Sequence, residues 1–170
     1  MVTIDGFYCD RLLEPDGPEL STSGWRRNLI VAPCRILLAG FMRNDTALGV
    51  QSLLVGRGDP AWDASGAPAP DPNTTSLTDA VPFKIPVANL KLEYLDASDT
   101  VVANATSRIQ ITATLGPGQP TPAGSPPYPL REFGLFGQLN GQPQMIDYVR
   151  HPVIQKDGSV TLERKIRLVF

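Results

Sequence analysis

The feature that most constrains the fold is a pair of hairpin-turn signals near the C-terminus. Asn140-Gly141 and Asp157-Gly158 divide residues 130–170 into three segments rich in apolar residues. Asn-Gly and Asp-Gly supply the positive φ angles that tight hairpin turns require. Because segments joined by such turns pair as neighbouring strands, the sequence predicts a three-stranded antiparallel meander in this region.

The last of these segments alternates between apolar and polar residues. One set, predicted to face inward, is Val160, Leu162, Ile166, Leu168 and Phe170; the other, predicted to face outward, is Thr161, Glu163, Lys165 and Arg167. A period of two is typical of a strand with one buried face. Arg164 is the one interruption of the apolar row.

Four further stretches are predicted to be strands: residues 1–14, 49–55, 84–95 and 107–115. The clearest alternation lies in the last of them, where the residues predicted to face inward are Ile109, Ile111, Ala113 and Leu115. Pro86 cannot donate a backbone hydrogen bond, so we expect the start of the strand at 84–95 to lie at a sheet edge or a bulge.

A single convincing helix is predicted after Pro33, which fits the first helical turn because its missing N–H costs nothing there. The apolar stripe of this helix is predicted to consist of Ile36, Leu37 and Phe41, with Leu38 as a further candidate. Arg35 and Arg43 are predicted to lie on the outer side, and the helix is predicted to end near Asn44. One amphipathic helix among strands is best used to cover one face or end of a sheet.

These elements together predict a mainly β fold, namely an antiparallel β-sandwich-like domain with one amphipathic helix and long Pro/Gly-rich loops. The domain is predicted to span residues 25–170, with extended loops at 56–82 and 116–129. The second loop holds six prolines and three glycines, a density that neither a helix nor a strand ladder tolerates. Residues 1–24 are predicted to form an N-terminal strand or arm, and the sequence leaves open whether they pair within the domain or reach a neighbouring subunit.

The composition excludes several classes of protein. A net charge of −2 over 170 residues provides no basic surface for nucleic acid or for an anionic membrane. No apolar run approaches the roughly 20 residues that a membrane-spanning helix needs, and the N-terminus lacks the pattern of a signal peptide. We therefore expect a protein made in the cytoplasm, with no nucleic-acid partner and no direct membrane insertion.

The residues that could support catalysis or bind a metal are few. Cys9 and Cys34 with the single histidine, His151, cannot make a structural zinc site, and two free thiols are favoured over a disulfide. A nucleophilic triad would have to use His151, but no Gly-x-Ser-x-Gly elbow is present and Cys34 lies on an apolar helix face. Glu132 has no identifiable carboxylate partner of the kind that glycosidases require, so we favour pairing with Arg131 or with a backbone N–H. The sequence thus predicts no catalytic residues, no metal and no cofactor.

Four pieces of the chain, in order, resemble a family of bacteriophage tail proteins. They are Asn28-Leu29-Ile30-Val31 running into Ile36-Leu37-Leu38-Ala39-Gly40, then Leu53-Leu54-Val55-Gly56-Arg57-Gly58, Thr75-Ser76-Leu77-Thr78-Asp79-Ala80-Val81 and Arg131-Glu132-Phe133-Gly134-Leu135-Phe136. The last three are similar to elements of the form LAVGxG, xxxTxLxxEV and xEIGLF in the base domains of phage tail-fibre or tail-collar proteins, and in related pieces of contractile injection systems. The similarity covers residues 25–170; Asp79 matches the usual glutamate region only loosely, and the Pro-rich loop before Leu130 resembles an insertion.

The resemblance implies a structural subunit of a phage tail or of a phage-tail-like contractile injection particle, in a baseplate, collar or fibre-attachment position. Its partners would be other tail or baseplate subunits, and it would form a homo-oligomer within a symmetric assembly, incorporated into the virion tail or particle. Because no fibre shaft follows Phe170, an adaptor is implied rather than a complete fibre. The residues implied to carry the family's packing pattern are Gly56, Gly58, Leu77, Glu132, Gly134, Leu135 and Phe136.

Gly134, which lacks a side chain, is expected to leave room for a close approach, and the lone helix would suit that gap. Trp62 and Tyr128, in the two long loops, are candidate interface residues, although Trp62 could instead dock on its own domain. The same two aromatic residues could form a stacking surface for a host-surface glycan, which would make the chain a carbohydrate- or receptor-binding module. A small cell-wall hydrolase is the enzymatic alternative. Arg57-Gly58-Asp59 matches a cell-adhesion tripeptide, but such triplets arise often by chance.

Overall fold

In the computed structural model, which describes residues 3–170, the chain folds mainly into antiparallel β-strands. The predicted fold class, mainly β with antiparallel sheets and one longer helix, is confirmed. The strands are β1 (Asp5–Leu13), β2 (Glu19–Thr22), β3 (Arg26–Arg27), β4 (Leu29–Ile30), β5 (Ala47–Gly56), β6 (Phe83–Pro86), β7 (Leu90–Leu95), β8 (Val101–Val102), β9 (Arg108–Leu115), β10 (Tyr128–Leu139), β11 (Gln142–Lys156) and β12 (Thr161–Val169). The helices are α1 (Ala32–Met42) and the short α2 (Trp62–Ser65), and a 3-10 turn covers Val87–Asn89.

The chain divides into two compact units, each built from separate stretches of sequence. Unit 1 combines the residues up to Asn28 with Ala88–Pro127 and Lys156–Phe170, and unit 2 combines Leu29–Val87 with Tyr128–Gln155. Residues 1 and 2 of the predicted first strand lie outside the described residues. Within residues 3–170, no helix has the length and apolar character needed to cross a membrane.

Unit 1 contains a seven-stranded sheet in which the two ends of the chain pair with each other. Its order is β2-β1-β12-β9-β7-β8, and β3 also pairs with β1. The antiparallel pairing of β1 with β12 runs from Asp5 opposite Val169 to Leu13 opposite Thr161. The N-terminal strand therefore lies in the interior of a sheet of its own chain.

β12 has the predicted alternation, and its one exception is a buried ion pair. Arg164 is 1% exposed and lies opposite Asp10 of β1, with Nε 2.6 Å from Oδ1 and Nη2 2.7 Å from Oδ2. A bidentate bond of this kind lets a guanidinium remain in an otherwise apolar row. The prediction that Phe170 faces inward is wrong: this residue follows the last residue of β12 and is 42% exposed.

The predicted three-stranded meander is wrong in its third strand. Asn140 and Gly141 have φ values of 49° and 81°, and β10 and β11 are neighbours as predicted. β12, however, pairs with β1 and β9 in unit 1. Turn chemistry determines where a chain reverses, whereas the partner of a strand depends on which surface buries its apolar row, and β12 gains a neighbour on each side in unit 1.

The second predicted hairpin turn is a wider turn over residues 157–160. Within residues 3–170, neither Asp157 nor Gly158 is among those with a positive φ. The Asp157 carboxylate instead accepts the hydroxyl of Ser159 at 2.6 Å and its backbone N–H at 2.7 Å, and the hydroxyl bond first, then the N–H bond, hold the pKa of Asp157 below its usual value. Such a local side-chain bond is a common alternative to a two-residue hairpin.

The Pro-rich loop before β10 packs against this wider turn. Gly118 donates its N–H to the carbonyl of Gly158 at 2.8 Å. The buried Lys156 ammonium donates to the carbonyl oxygens of Gly116 at 3.2 Å, Asp157 at 2.9 Å and Val160. Burial lowers the pKa of Lys156. One lysine thus connects the start of the loop to both ends of the turn.

Unit 2 contains a five-stranded sheet in the order β4-β11-β10-β5-β6, with α1 packed close to its strands. Two glycines allow this close packing. A Cβ on Gly40 of α1 would lie 2.5 Å from Cδ1 of Leu139, and one on Gly137 of β10 would lie 2.6 Å from Cδ2 of Leu37. A register shift between Phe136 and Gln138 marks the place where the helix approaches the sheet.

The buried face of α1 differs from the predicted stripe. Its buried residues are Pro33, Cys34, Leu37 and Gly40. Ile36, Leu38 and Phe41, predicted to face the sheet, are exposed. The reason is Gly40, because the helix makes its closest approach where a side chain is missing, and this rotates the contact face away from the larger residues.

The strand predicted at 84–95 is also wrong, because it is two strands in two units. β6 ends at Pro86, the 3-10 turn follows, and β7 begins at Leu90. β6 pairs with β5 in unit 2, whereas β7 pairs with β9 and β8 in unit 1. The expectation that Pro86 lies at a sheet edge is confirmed, because β6 is the edge strand of the five-stranded sheet; Pro86 also ends β6, since the next residues form the 3-10 turn.

Candidate functional site

Glu132 in β10 is a fully buried carboxylate whose two oxygens both accept hydrogen bonds. Oε1 accepts the N–H of Asp79 at 2.7 Å, and Oε2 accepts the N–H of Thr78 at 3.0 Å and the phenol O–H of Tyr148. Burial, followed by the bond to Glu132, raises the pKa of Tyr148. The predicted pairing with a backbone N–H is therefore present, and Glu132 fastens residues 78–79 to the sheet.

Gly56, at the end of β5, lies opposite Glu132 in the sheet. A Cβ at this position would come within 2.7 Å of Glu132 Oε1 and 3.0 Å of the Asp79 Cβ. A side chain would therefore displace the carboxylate from the backbone N–H groups that it binds.

Leu77 covers the gap that Gly134 leaves in β10. A Cβ on Gly134 would lie 3.2 Å from Leu77 Cδ1 and 3.0 Å from the carbonyl oxygen of Asp147. The expectation that the helix fills this gap is wrong, because a side chain from the long loop occupies it. Leu77 belongs to an apolar cluster whose other buried members are Val31, Phe136, Met145 and Tyr148.

Asp147 in β11 is a site residue that the sequence reasoning missed. It is fully buried, and its Oδ1 accepts the N–H of Leu135 at 2.8 Å. The available signal was a lone carboxylate within the apolar run from Met145 to Val149, since a buried charge in a strand requires a partner. Leu135, whose N–H it binds and which the resemblance singles out, is itself fully buried.

Asp79 binds the residues on either side of its own segment. Its Oδ2 accepts the backbone N–H of Arg57 at 2.8 Å and the Arg57 Nε at 3.1 Å, and its Oδ1 accepts the N–H of Val81 at 2.9 Å. Burial alone would raise the pKa of Asp79, but these hydrogen bonds outweigh it and the pKa is lowered. The guanidinium of Arg57 lies over the ring of Tyr128, with Cζ 5.6 Å from the centroid. Tyr128 is thus engaged within unit 2.

Arg131 forms a bidentate ion pair with Asp63 of α2. Nε and Nη2 donate to the two carboxylate oxygens at 2.7 and 2.6 Å, and Nη1 donates to the carbonyl of Arg57 at 2.8 Å. The bond from Arg131 lowers the pKa of Asp63. Because α2 belongs to the long loop at 56–82, this pair attaches a second point of that loop to β10.

Trp62 docks on its own unit. The guanidinium of Arg150 lies 4.9 Å from the centroid of a Trp62 ring, and Arg150 also donates to the Tyr148 hydroxyl at 3.1 Å and to the carbonyl of Pro68 at 3.2 Å. Gly58 has a φ of 57°, and a Cβ there would lie 2.5 Å from the indole ring. Glycine is therefore required at position 58 for two reasons: its backbone is left-handed, and a side chain would collide with the indole.

The residues considered for catalysis lie in protected positions. His151 is buried in β11, where its Nδ1 donates to the carbonyl of Pro152 at 2.8 Å and its ring centroid lies 6.1 Å from that of Phe133. Cys34 is buried in α1, and burial raises its pKa to about 11. Both cysteines are free thiols. Among residues 3–170, no group of three acidic, histidine or cysteine side chains is placed to hold a metal ion.

The seven residues that the resemblance singles out lie in one region of unit 2. Gly56 and Glu132 adjoin each other, Leu77 and Gly134 adjoin each other, and Gly58 supports the indole of Trp62. Leu135 and Phe136 continue β10 beyond them. The arrangement fastens the long loop at 56–82 to the sheet at three points: the N–H groups of residues 78–79, the Leu77 side chain and the Asp63 carboxylate.

The polar groups of this region hold a surface segment in a fixed position. A carboxylate with no solvent exposure that accepts three hydrogen bonds is poorly placed to exchange protons with a substrate.

No protein-family model, curated protein or solved structure matches this chain.

Proposed function

We propose that this protein is a structural subunit of a phage tail or of a phage-tail-like contractile injection particle, acting by protein–protein assembly in a baseplate, collar or fibre-attachment position. Its partners are other tail or baseplate subunits, and it reaches the particle after synthesis in the cytoplasm. The resemblance of the motif pieces to tail-fibre and tail-collar base domains is the origin of this proposal.

The proposal is supported by the contact among three motif pieces that are far apart in sequence. Residues 53–58, 75–81 and 131–136 meet through the Glu132 carboxylate, the Leu77 side chain and Gly56. Their polar atoms are used within the protein to position a loop, which supports a structural role for the pattern. A long loop held rigidly at several points is a surface that a partner can bind without paying for its ordering.

The proposal is tested by deleting the gene in a cell that produces the particles and examining the particles by electron microscopy. We expect particles that lack a peripheral structure or fail to assemble, and restoration by the wild-type gene. Neighbouring genes for sheath, tube and baseplate proteins would agree with the proposal.

A double variant, Asp63→Asn with Arg131→Gln, is then introduced into the deletion strain in place of the wild-type gene. It releases α2 from β10 while leaving the Glu132 site in place, so we expect reduced complementation by a folded protein. Normal particles in the deletion strain would contradict the proposed function.

A glycan-binding module is the second candidate, and one feature of unit 2 favours it. Trp62, Asp63 and Arg150 line a surface pocket of about 480 Å³ together with His151 and Pro152. Indole, carboxylate and guanidinium groups are suited to sugar recognition, although Arg150 already lies against the indole. Titration of glycans into the isolated protein tests this candidate, with saturable binding that is lost in Trp62→Ala as the supporting result and no binding as the contrary one.

A further inference from the structure

The outward side of α1 is apolar, unlike that of an ordinary surface helix. Ile36 is 55% exposed, Phe41 65% and Met42 81%, and Leu38 lies beside them at 36%. A helix that packs one side on a sheet normally carries charged residues on the other. Between Ala32 and Met42, α1 carries one charged residue, Arg35.

The two arginines at the ends of α1 differ in whether they have an ion-pair partner. Arg43, just after the helix, binds Asp45 with Nε 3.0 Å from both carboxylate oxygens and Nη2 2.8 Å from Oδ1. Arg35, near the start of the helix, makes no ion pair or hydrogen bond within residues 3–170. Its guanidinium is therefore available to a carboxylate outside the chain.

Arg35, Leu38, Ala39 and Met42 lie at i, i+3, i+4 and i+7, the spacing of a helix–helix contact seam. All four are exposed. The small Ala39 at the middle of this seam allows a second helix to approach closely. The seam is thus built like one side of a two-helix contact.

We propose that α1 is the contact surface for a second copy of this chain, with the two α1 helices antiparallel about a two-fold axis near Leu38 and Ala39. In this register Arg35 of one copy lies level with Met42 of the other. Helical side chains lean toward the N-terminus, so Arg35 points past the partner's Met42 toward the partner's Asp45.

The charges are complementary in this arrangement and only in the antiparallel direction. Each Arg35 meets the Arg43–Asp45 pair at the C-terminal end of the other helix, where the Asp45 side chain is 20% exposed and the helix dipole also favours a cation. Two-fold symmetry forms this contact twice. A carboxylate accepts enough hydrogen bonds to keep Arg43 and gain a second guanidinium. The inference rests on the residues of α1 and not on the proposed function.

The test is sedimentation equilibrium of the full chain over a range of concentrations. We expect a reversible equilibrium between the 18.4 kDa chain and a particle of twice that mass. Met42→Glu and Arg35→Asp are each expected to raise the dissociation constant about tenfold or more, because each change acts twice in a symmetric contact. Leu92→Glu, at an apolar position 45% exposed in unit 1, is the matched control and should leave the constant unchanged.

Mixing two variants separates this register from any other contact. Arg35→Asp alone and Asp45→Arg alone place like charges opposite each other, so each is expected to be monomeric. An equimolar mixture restores opposite charges at both ends and is expected to dimerise, with circular dichroism confirming that both variants are folded. A wild-type chain that remains monomeric, a dimer that persists in Met42→Glu, or a mixture that stays monomeric would each overturn the inference.

Discussion

Glu132 shows how one side chain can hold a loop of more than twenty residues against a sheet. Its carboxylate binds two successive backbone N–H groups and a phenol, and charge-assisted bonds of this kind are about twice as strong as neutral ones. The interaction is local in space, but it joins Glu132 to Thr78 and Asp79, which lie 54 and 53 positions away in the sequence.

Glu132→Gln tests this role with almost no change in side-chain size. The amide has one acceptor oxygen in place of two, and its NH₂ group would face a backbone N–H. We expect the free energy of unfolding to fall by about 2–3 kcal/mol in urea titrations, since buried groups are left without partners. Glu93→Gln, which removes the charge of a pair whose Lys91 side is exposed, should cost less than about 0.5 kcal/mol. Equal losses in the two variants would contradict this role for Glu132.

Cys34 makes the stability sensitive to alkaline pH. Burial, and then the charge of Asp147, raise its pKa from 9.0 to about 11, so the unfolded thiol ionises at a lower pH than the folded one. A raised folded-state pKa gives stability that is complete below pH 9.0 and lost as the pH rises through about 11.

Between these limits, the wild-type chain should lose about 2–3 kcal/mol of its free energy of unfolding through this group. Cys34→Ala should be less stable at neutral pH because of lost packing, but should decline less steeply from pH 9.0 to 11. Urea titrations at several pH values measure both slopes. Parallel slopes would show that the thiol does not ionise differently in the two states.

The long loop at 56–82 behaves as part of the sheet beneath it. Leu77 packs over Gly134 within the apolar cluster, and Asp63 and Asp79 bind β10 and the end of β5. A loop with this many fixed points is expected to be as protected from exchange as the strands that it covers.

Leu77→Ala should open this segment without disturbing the strands themselves. We expect a loss of about 2–3 kcal/mol, typical of a buried leucine truncated to alanine, and faster hydrogen exchange at the amides of Thr78 and Asp79. Val81→Ala is the matched control in the same loop, because Val81 is 74% exposed and should change neither quantity. Unaltered exchange in Leu77→Ala would mean that the Glu132 bonds alone hold the segment.

The Pro-rich loop depends on Lys156 in a similar way. Lys156→Met keeps the length of the side chain and removes the three bonds to carbonyl oxygens, while relieving the cost of burying an ammonium. We expect a net loss of about 1–2 kcal/mol and faster proteolysis within residues 117–127. Lys165→Met, at a partly exposed ion pair with Glu163, should leave the cleavage rate unchanged; equal rates in all three proteins would show that the loop is held by other contacts.

The elements themselves were largely predictable from sequence, whereas their partners were not. The period of two in β12 and the Asn140-Gly141 turn report local geometry, which a sequence carries directly. The place of β12 between β1 and β9 depends on residues far from it in sequence, those of β1 by more than a hundred positions, and no local pattern encodes it.

The candidate site shows the same division. Glu132, Gly134 and Leu77 could be singled out from the motif pieces, and a backbone N–H was anticipated as the partner of Glu132. That Leu77 rather than α1 covers Gly134 could not be anticipated, because a leucine in a loop gives no sign of the surface on which it will pack. The exposed apolar side of α1 could not be predicted for a related reason. Apolar residues at helical spacing give the same sequence pattern whether they pack within the chain or against another molecule.

The chain consists of two units, each built from distant parts of the sequence. Unit 1 joins the two ends of the chain through β1 and β12, and unit 2 carries the site with its fixed loop and α1. The exposed apolar side of α1 and the loops held at several points agree with the proposal that the protein acts by protein–protein assembly.

Quantitative mass spectrometry of sedimented tail-like particles from the producing cells is the most direct test of the proposed structural role. We expect the chain to sediment with the sheath and tube proteins at a fixed copy number that survives washing in high salt. A chain found wholly in the low-mass fraction, with none in intact particles, would contradict it.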